Sequence, residues 1–175
     1  MNKAQRMLKH LWLDTSDARR AIPPDMLQRL TKRTAASESR HSGQIRICVE
    51  ASLPMSYLWR LGRTTSMTQL VRQRAVMLFG KLRVWDTEHN NGVLIYLQLA
   101  ERAIEIVADR GLNRHVTPDE WKAMTARMGA AFAGGRFEDG LTQALEEVSA
   151  VLVASFPAMA GAKATDELPD EPVLG

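Results

Sequence analysis

A chain of 175 residues, 45% of them hydrophobic, can bury one sizeable core but would be cramped as two, so a single domain with a tail is expected. The lone Cys48 excludes an internal disulfide framework and a multi-cysteine zinc site. The net charge of +3 conceals a division: residues 1–83 carry 16 Lys and Arg against 5 Asp and Glu, whereas residues 84–175 carry 7 against 15. Nucleic acid or an anionic membrane surface could use such a basic half. Its cations, however, are scattered through helices without the interleaved aromatics of a base-stacking surface, so nucleic acid is not an expected partner. The longest apolar stretch, Val93 to Ala100, falls far short of the roughly 20 residues of a membrane-spanning helix. The first twenty residues lack the apolar run and small-residue cleavage site of a secretory signal, and the expected location is cytoplasmic.

In chain order, residues 2–13 place Met7, Leu8, Leu11 and Trp12 at helical spacing, with Lys3, Arg6 and Lys9 on the other side. This short amphipathic helix is expected to cover part of the core, although its composition also suits peripheral membrane contact. With its linker it makes up residues 1–22. Ile22-Pro23-Pro24 breaks the chain, and a second helix runs from about Asp25 to Ser37 with Met26, Leu27 and Leu30 inward. Gln44 to Glu50 alternates as a strand. Tyr57, Leu58, Trp59 and Leu61 lie in a non-periodic stretch, followed from Met67 by a crossover helix whose stripe is Leu70, Val71, Arg74, Ala75, Leu78, Phe79 and Leu82.

Asn91-Gly92 opens a nearly unbroken apolar run, Val93 to Leu99, which reads as a central strand buried on both faces. A two-residue connection, Ala100-Glu101, is expected to fold Arg102–Asp109 back beside it as an antiparallel hairpin. Thr117-Pro118-Asp119-Glu120 is a strong helix start, combining an N-cap, a first-turn proline and a capping box. Trp121, Met124, Met128 and Phe132 follow on one face. A last helix, Phe137 to Ser155, places Leu141, Ala144, Leu145, Val148 and Leu152 in register. The domain is expected to span residues 23–157, and residues 158–175 to form a disordered acidic tail.

Several of these pieces, in this order, resemble the TPM domain family, and in particular its compact bacterial branch without membrane spans. They are His41-Ser42-Gly43-Gln44-Ile45-Arg46-Ile47, Arg74-Ala75 with Phe79, Asn91 to Tyr96, Asp109-Arg110-Gly111-Leu112, Trp121, and Phe132, Gly135, Phe137, Gly140 and Leu141. The resemblance implies an α/β fold, a three-layer α/β/α sandwich with a small central mixed sheet and an antiparallel hairpin, in agreement with the element order. It further implies an accessory role in maintaining membrane complexes, a LemA-like membrane protein as partner, or metal binding or acid phosphatase activity. Gln44 stands where the family commonly has Glu.

The residues themselves offer two candidate sites. Strand alternation allows Glu50, Glu101, Glu105 and Asp109 to gather at a strand end, where a Ca²⁺ or Mg²⁺ ion could find oxygen ligands for a metal-dependent phosphatase. Cross-strand pairing of Arg46 with Glu105 or Glu50 competes with that reading and is preferred. No nucleophile is convincing: Cys48 sits inside a strand, and His10, His41, His89 and His115 have no metal-ligand spacing. The second candidate is a partner-binding hot spot at Tyr57, Trp59 and Arg60. The leading expectation is therefore a non-enzymatic binding domain, with the phosphatase as its alternative.

Overall fold

The computed structural model describes residues 3–62, 64–158 and 167–175. The sheet has the order β3-β2-β1-β4, built from β1 (Gln44–Glu50), β2 (Gly92–Gln98), β3 (Ala103–Ala108) and the short β4 (Val173–Leu174). β1 runs parallel to β2 and to β4, while β3 is antiparallel to β2, which makes the sheet mixed. All seven residues of β2 are buried, as its continuous apolar run predicts.

The alternation of β1 to β3 divides two apolar layers between the faces of the sheet. Ile45, Ile47, Val49, Ile95, Leu97 and Ile106 meet α3 (Pro24–Glu38), α6 (Pro118–Ala133) and α7 (Phe137–Ser155) on one face. Cys48, Leu94, Tyr96 and Val107 meet α5 (Met67–Lys81) and α4 (Met55–Leu58) on the other. The helices thus enclose the sheet in three layers, and α5 makes the crossover between the parallel strands β1 and β2. Local chemistry sets its boundaries: Ser66 and Gln69 form a capping box at the start of α5, and Thr117 and Glu120 form another ahead of Pro118.

Four features differ from the sequence reading. The linker after α1 (Lys3–Trp12) is itself a helix, α2 (Thr15–Ala21), started by a capping box between Asp14 and Asp17 and anchored by buried Ala18. The hairpin loop is Leu99 to Arg102 rather than two residues. Arg102 takes a left-handed φ of 50°, and the Glu101 N–H donates to Gln98 Oε1 at 2.7 Å. Residues 167–175 lie against the sheet instead of forming a disordered tail. The Glu167 and Leu168 N–H groups donate to Gln44 Oε1, Arg46 donates to the carbonyls of Pro169 and Glu171, and Leu168 is buried. Residues 159–166 of the expected tail lie outside the described residues.

The fourth difference is the orientation of α1. Its charged side faces the domain: Arg6 pairs with Glu101, Lys9 donates to the Ala100 carbonyl, and Lys3 donates to the Trp59 carbonyl. His10 is buried between the Leu53 N–H, which donates to Nδ1 at 2.9 Å, and Glu101, which leaves Nε2 as its protonated nitrogen. Of the expected apolar stripe only Met7 packs on the core, whereas Leu8, Leu11 and Trp12 are 57%, 62% and 79% exposed. Polar anchors outcompete burial here because the surface beneath α1 offers a carboxylate and free backbone groups.

Candidate functional site

Ligands of open α/β sheets commonly sit beyond the carboxyl ends of the strands, which is where β1 delivers Glu50. Arg74, on the α5 face that turns to the sheet, grips this carboxylate at both oxygens, with its Nε 2.8 Å from Oε2. The Tyr96 hydroxyl, on β2 two residue pairs before the Glu50–Gln98 pair, donates to the same Oε2 at 2.8 Å. The ion pair is nearly dry, with 9% of the Glu50 side chain and 14% of the Arg74 side chain exposed. The Glu50 hydrogen bond, reinforced by its charge, holds the Arg74 guanidinium well above its usual range. Burial, helped by the Glu50 charge, pushes the Tyr96 phenol up, so it remains a donor. Cys48 on the same face is pushed up to about 12, chiefly by burial and then by Glu50, and stays an unreactive thiol. Tyr57 closes the cluster, with its ring centroid 5.6 Å from the Arg74 guanidinium and 4.5 Å from that of Arg60.

The four candidate carboxylates are allotted to separate partners. Glu101, in the hairpin loop, faces His10 and Arg6. Burial pushes its carboxyl up, but the His10 hydrogen bond and the charges of Arg6, His10 and Lys9 outweigh this and hold it below the usual range. Glu105 lies 3.4 Å from Arg72 of α5, yet burial dominates and its carboxyl is raised. Asp109 caps the short 3-10 helix Arg110–Arg114 by accepting from the Arg110 N–H, and its buried Oδ2 has no hydrogen-bond partner among the described residues. The expected Arg46 pairs are also absent: Arg46 serves the backbone of residues 169–171, and the arginines that meet Glu105 and Glu50 come from α5. Among the described residues no group of three or more His, Cys, Asp and Glu is placed to hold a metal ion. A hard cation takes six or more oxygens, while Glu50 already accepts from one guanidinium and one phenol, so these residues do not fit a Ca²⁺ or Mg²⁺ site.

Two signals for the Glu50 cluster were present in the sequence. Arg74 falls within the apolar stripe of α5, and an arginine there needs a buried anion. Tyr96 lies in a strand buried on both faces, where its hydroxyl needs an acceptor.

At the surface, two of the three hot-spot candidates, Tyr57 and Arg60, stack on each other, while Trp59 stands exposed. Tyr57 is half-buried under Arg60, and Arg60 also donates to Gln73 Oε1 at 2.7 Å. Trp59, the residue that ends α4, is 70% exposed. Because α4 packs on α1 and Lys3 donates to the Trp59 carbonyl, the Trp59 backbone lies near the first turn of α1, while Trp12 ends that helix. Leu8, Leu11 and Trp12 lie along the outward side of α1.

Comparison with known proteins identifies the architecture. The family model described as TPM domain matches residues 15–151, beginning at the first residue of α2. The BA42 protein of the psychrophilic bacterium Bizionia argentinensis is 26% identical with a TM-score of 0.68, over 85% of this chain and 91% of that one. The N-terminal domain of a protein from P. gingivalis is 18% identical with a TM-score of 0.59, over 77% of this chain and 79% of that one, a likeness of fold alone. Among curated proteins no match is found.

Proposed function

Because the chain belongs to the TPM domain family, matching it over residues 15–151, we propose that it is a non-enzymatic accessory domain that binds another protein through the outward side of α1 and the neighbouring Trp59. The observation that carries this reading is the inverted helix: its cations are turned in and engaged, and Leu8, Leu11 and Trp12 are turned out. Each such side chain gains about 1.5–3 kcal/mol when a partner removes it from water. Tryptophan is also among the residues most enriched at the energetic centres of protein interfaces. The partner we infer is a LemA-like membrane protein approached from the cytoplasm, in keeping with a role in membrane-complex maintenance. No described helix is long and apolar enough to cross a membrane.

The phosphatase reading is not favoured. Acyl- or phosphoryl-transfer chemistry needs an activated nucleophile or a cation clamp. Here Cys48 is held as a thiol and Glu50 is locked to Arg74 and Tyr96. The test is a titration of the chain with the soluble part of a LemA-like protein, in parallel with a variant carrying Leu8→Ser, Leu11→Ser and Trp12→Ser. Saturable binding by the native chain and at least tenfold weaker binding by the variant is the expected result, corresponding to the loss of about 1.4 kcal/mol or more. Equal binding by the two would overturn the assignment of the surface. Hydrolysis of p-nitrophenyl phosphate that disappears with Glu50→Gln would overturn the non-enzymatic reading.

A further inference from the structure

β3 is an outer strand of the sheet; among the described residues no strand pairs with its outer edge, which forms the floor of a groove of about 1220 Å³ walled by α5 and α6. An antiparallel strand sends the N–H and C=O of alternate residues to its neighbour. The Asp109 N–H donates to the Gly92 carbonyl, and the register pairs Leu94 with Val107, Tyr96 with Glu105 and Gln98 with Ala103. It follows that Ala103, Glu105 and Val107 bond to β2, while Ile104, Ile106 and Ala108 turn their backbone groups towards the groove. One contact agrees with this alternation: the Ile106 carbonyl accepts a 2.6 Å hydrogen bond from Arg72, which reaches over the edge from α5 and also lies beside Glu105. An unpaired edge is normally covered or guarded by charge. Here one half-exposed arginine guards the middle of the strand.

The charges around the groove are unequal. Arg6, Arg72, Arg102 and Lys122 face only Glu101 and Glu105 among its lining residues. The opposite edge of the sheet shows what this fold accepts as an added strand. Residues 167–175 are an acidic, extended segment; an arginine, Arg46, donates to their carbonyls, and Val173 and Leu174 are in register with Cys48 and Val49.

We propose that the β3 edge is a strand-addition site for an extended acidic segment of a partner protein, which pairs with the backbone of Ile104, Ile106 and Ala108. A carboxylate of the incoming segment draws Arg72 off the Ile106 carbonyl, freeing that carbonyl for the segment's own N–H. Main-chain pairing gives such a site its affinity, and the side chains that flank it give selectivity. Arg72 makes the selectivity acidic, because a neutral segment would leave its guanidinium without the acceptor it gives up. This site is independent of the outward side of α1.

The experiment uses the full chain at low salt and follows backbone amides by NMR during titration with three acetylated heptapeptides: alternating Glu and Val, alternating Gln and Val, and the Glu/Val peptide N-methylated at each Val. The Glu/Val peptide is expected to shift the Ile104, Ile106 and Ala108 amides and to bind about tenfold more tightly than the Gln/Val peptide, the size of one charge-assisted hydrogen bond. N-methylation should abolish binding. Arg72→Ala, a change at a half-exposed site, should bring the Glu/Val and Gln/Val affinities towards parity, whereas Lys122→Ala should leave their ratio nearly unchanged. Three results would overturn the proposal: no shifts at those amides, binding that survives N-methylation, or a tenfold acidic preference retained by Arg72→Ala.

Discussion

At the scale of single residues, two buried polar arrangements decide how this domain answers mutation and pH. Glu50 and Arg74 are both desolvated, so removing either partner leaves an uncompensated charge in the interior. Glu50→Leu and Arg74→Met should each destabilise the fold by about 3–5 kcal/mol in denaturant unfolding, and the double variant should be nearer the native value than either single one. Single costs below about 1 kcal/mol would mean that the pair behaves like an exposed one. His41 is the second case. Its Nδ1 faces the Gly43 carbonyl at 3.0 Å and its Nε2 faces the Ser37 hydroxyl at 3.0 Å, so the ring is held neutral with its proton on Nδ1. Burial, aided by the Arg40 charge, lowers its pKa below the usual 6.5, against the opposing Gly43 hydrogen bond. With the folded pKa depressed, the unfolded chain binds the proton more readily. The stability that His41 contributes is therefore complete above pH 6.5 and is lost as pH falls from 6.5 towards the folded value. Comparing unfolding free energies of the native chain and His41→Gln across that window should show a steeper acid loss in the native chain; parallel profiles would contradict this account.

At the scale of elements, legibility followed locality. Alternation in Gln44–Glu50, the apolar run of Gly92–Gln98 and the Thr117–Glu120 capping box are written in neighbouring residues, and those elements appear where the sequence places them. α2 is also locally encoded, in the Asp14 and Asp17 capping box, but its seven residues carry no apolar stripe from which a helical period could be read. β4 was not legible. Its two residues form a strand only because β1 supplies the partner and because Gln44 and Arg46, more than a hundred residues away, hold the approach. Periodicity likewise identified the apolar stripe of α1 without its direction, since that depends on Glu101, Ala100 and Leu53 being ready to receive the charged side. The candidate carboxylates failed to converge for a related reason: strand alternation fixes which face a side chain occupies, but α5 supplies the arginines that claim Glu50 and Glu105 there. A prediction belongs at this scale. Removing residues 167–175 uncovers the outer edge of β1, so the shortened chain should self-associate more strongly than the full one in sedimentation experiments. Identical sedimentation of the two chains would show that β4 does not guard that edge.

At the scale of the whole molecule, two demands on one chain are met in different places. The sheet is dry on both faces and enclosed by helices, which accounts for the fold and leaves Cys48, Glu50 and Tyr96 chemically quiet. Exposed apolar area is concentrated where it does not serve that core: three of the four tryptophans, Trp12, Trp59 and Trp85, are more than half exposed. Under the proposed reading this division suits a binding domain, in which a rigid body carries an exposed apolar surface. The most direct test is the thermal unfolding of the chain carrying Leu8→Ser, Leu11→Ser and Trp12→Ser. If the apolar side of α1 faces water and the charged side does the docking, the melting temperature should stay within about 2 °C of the native value, as for ordinary surface substitutions. A fall of about 10 °C or more, the signature of three lost core contacts, would contradict the orientation of α1 and with it the proposed binding surface.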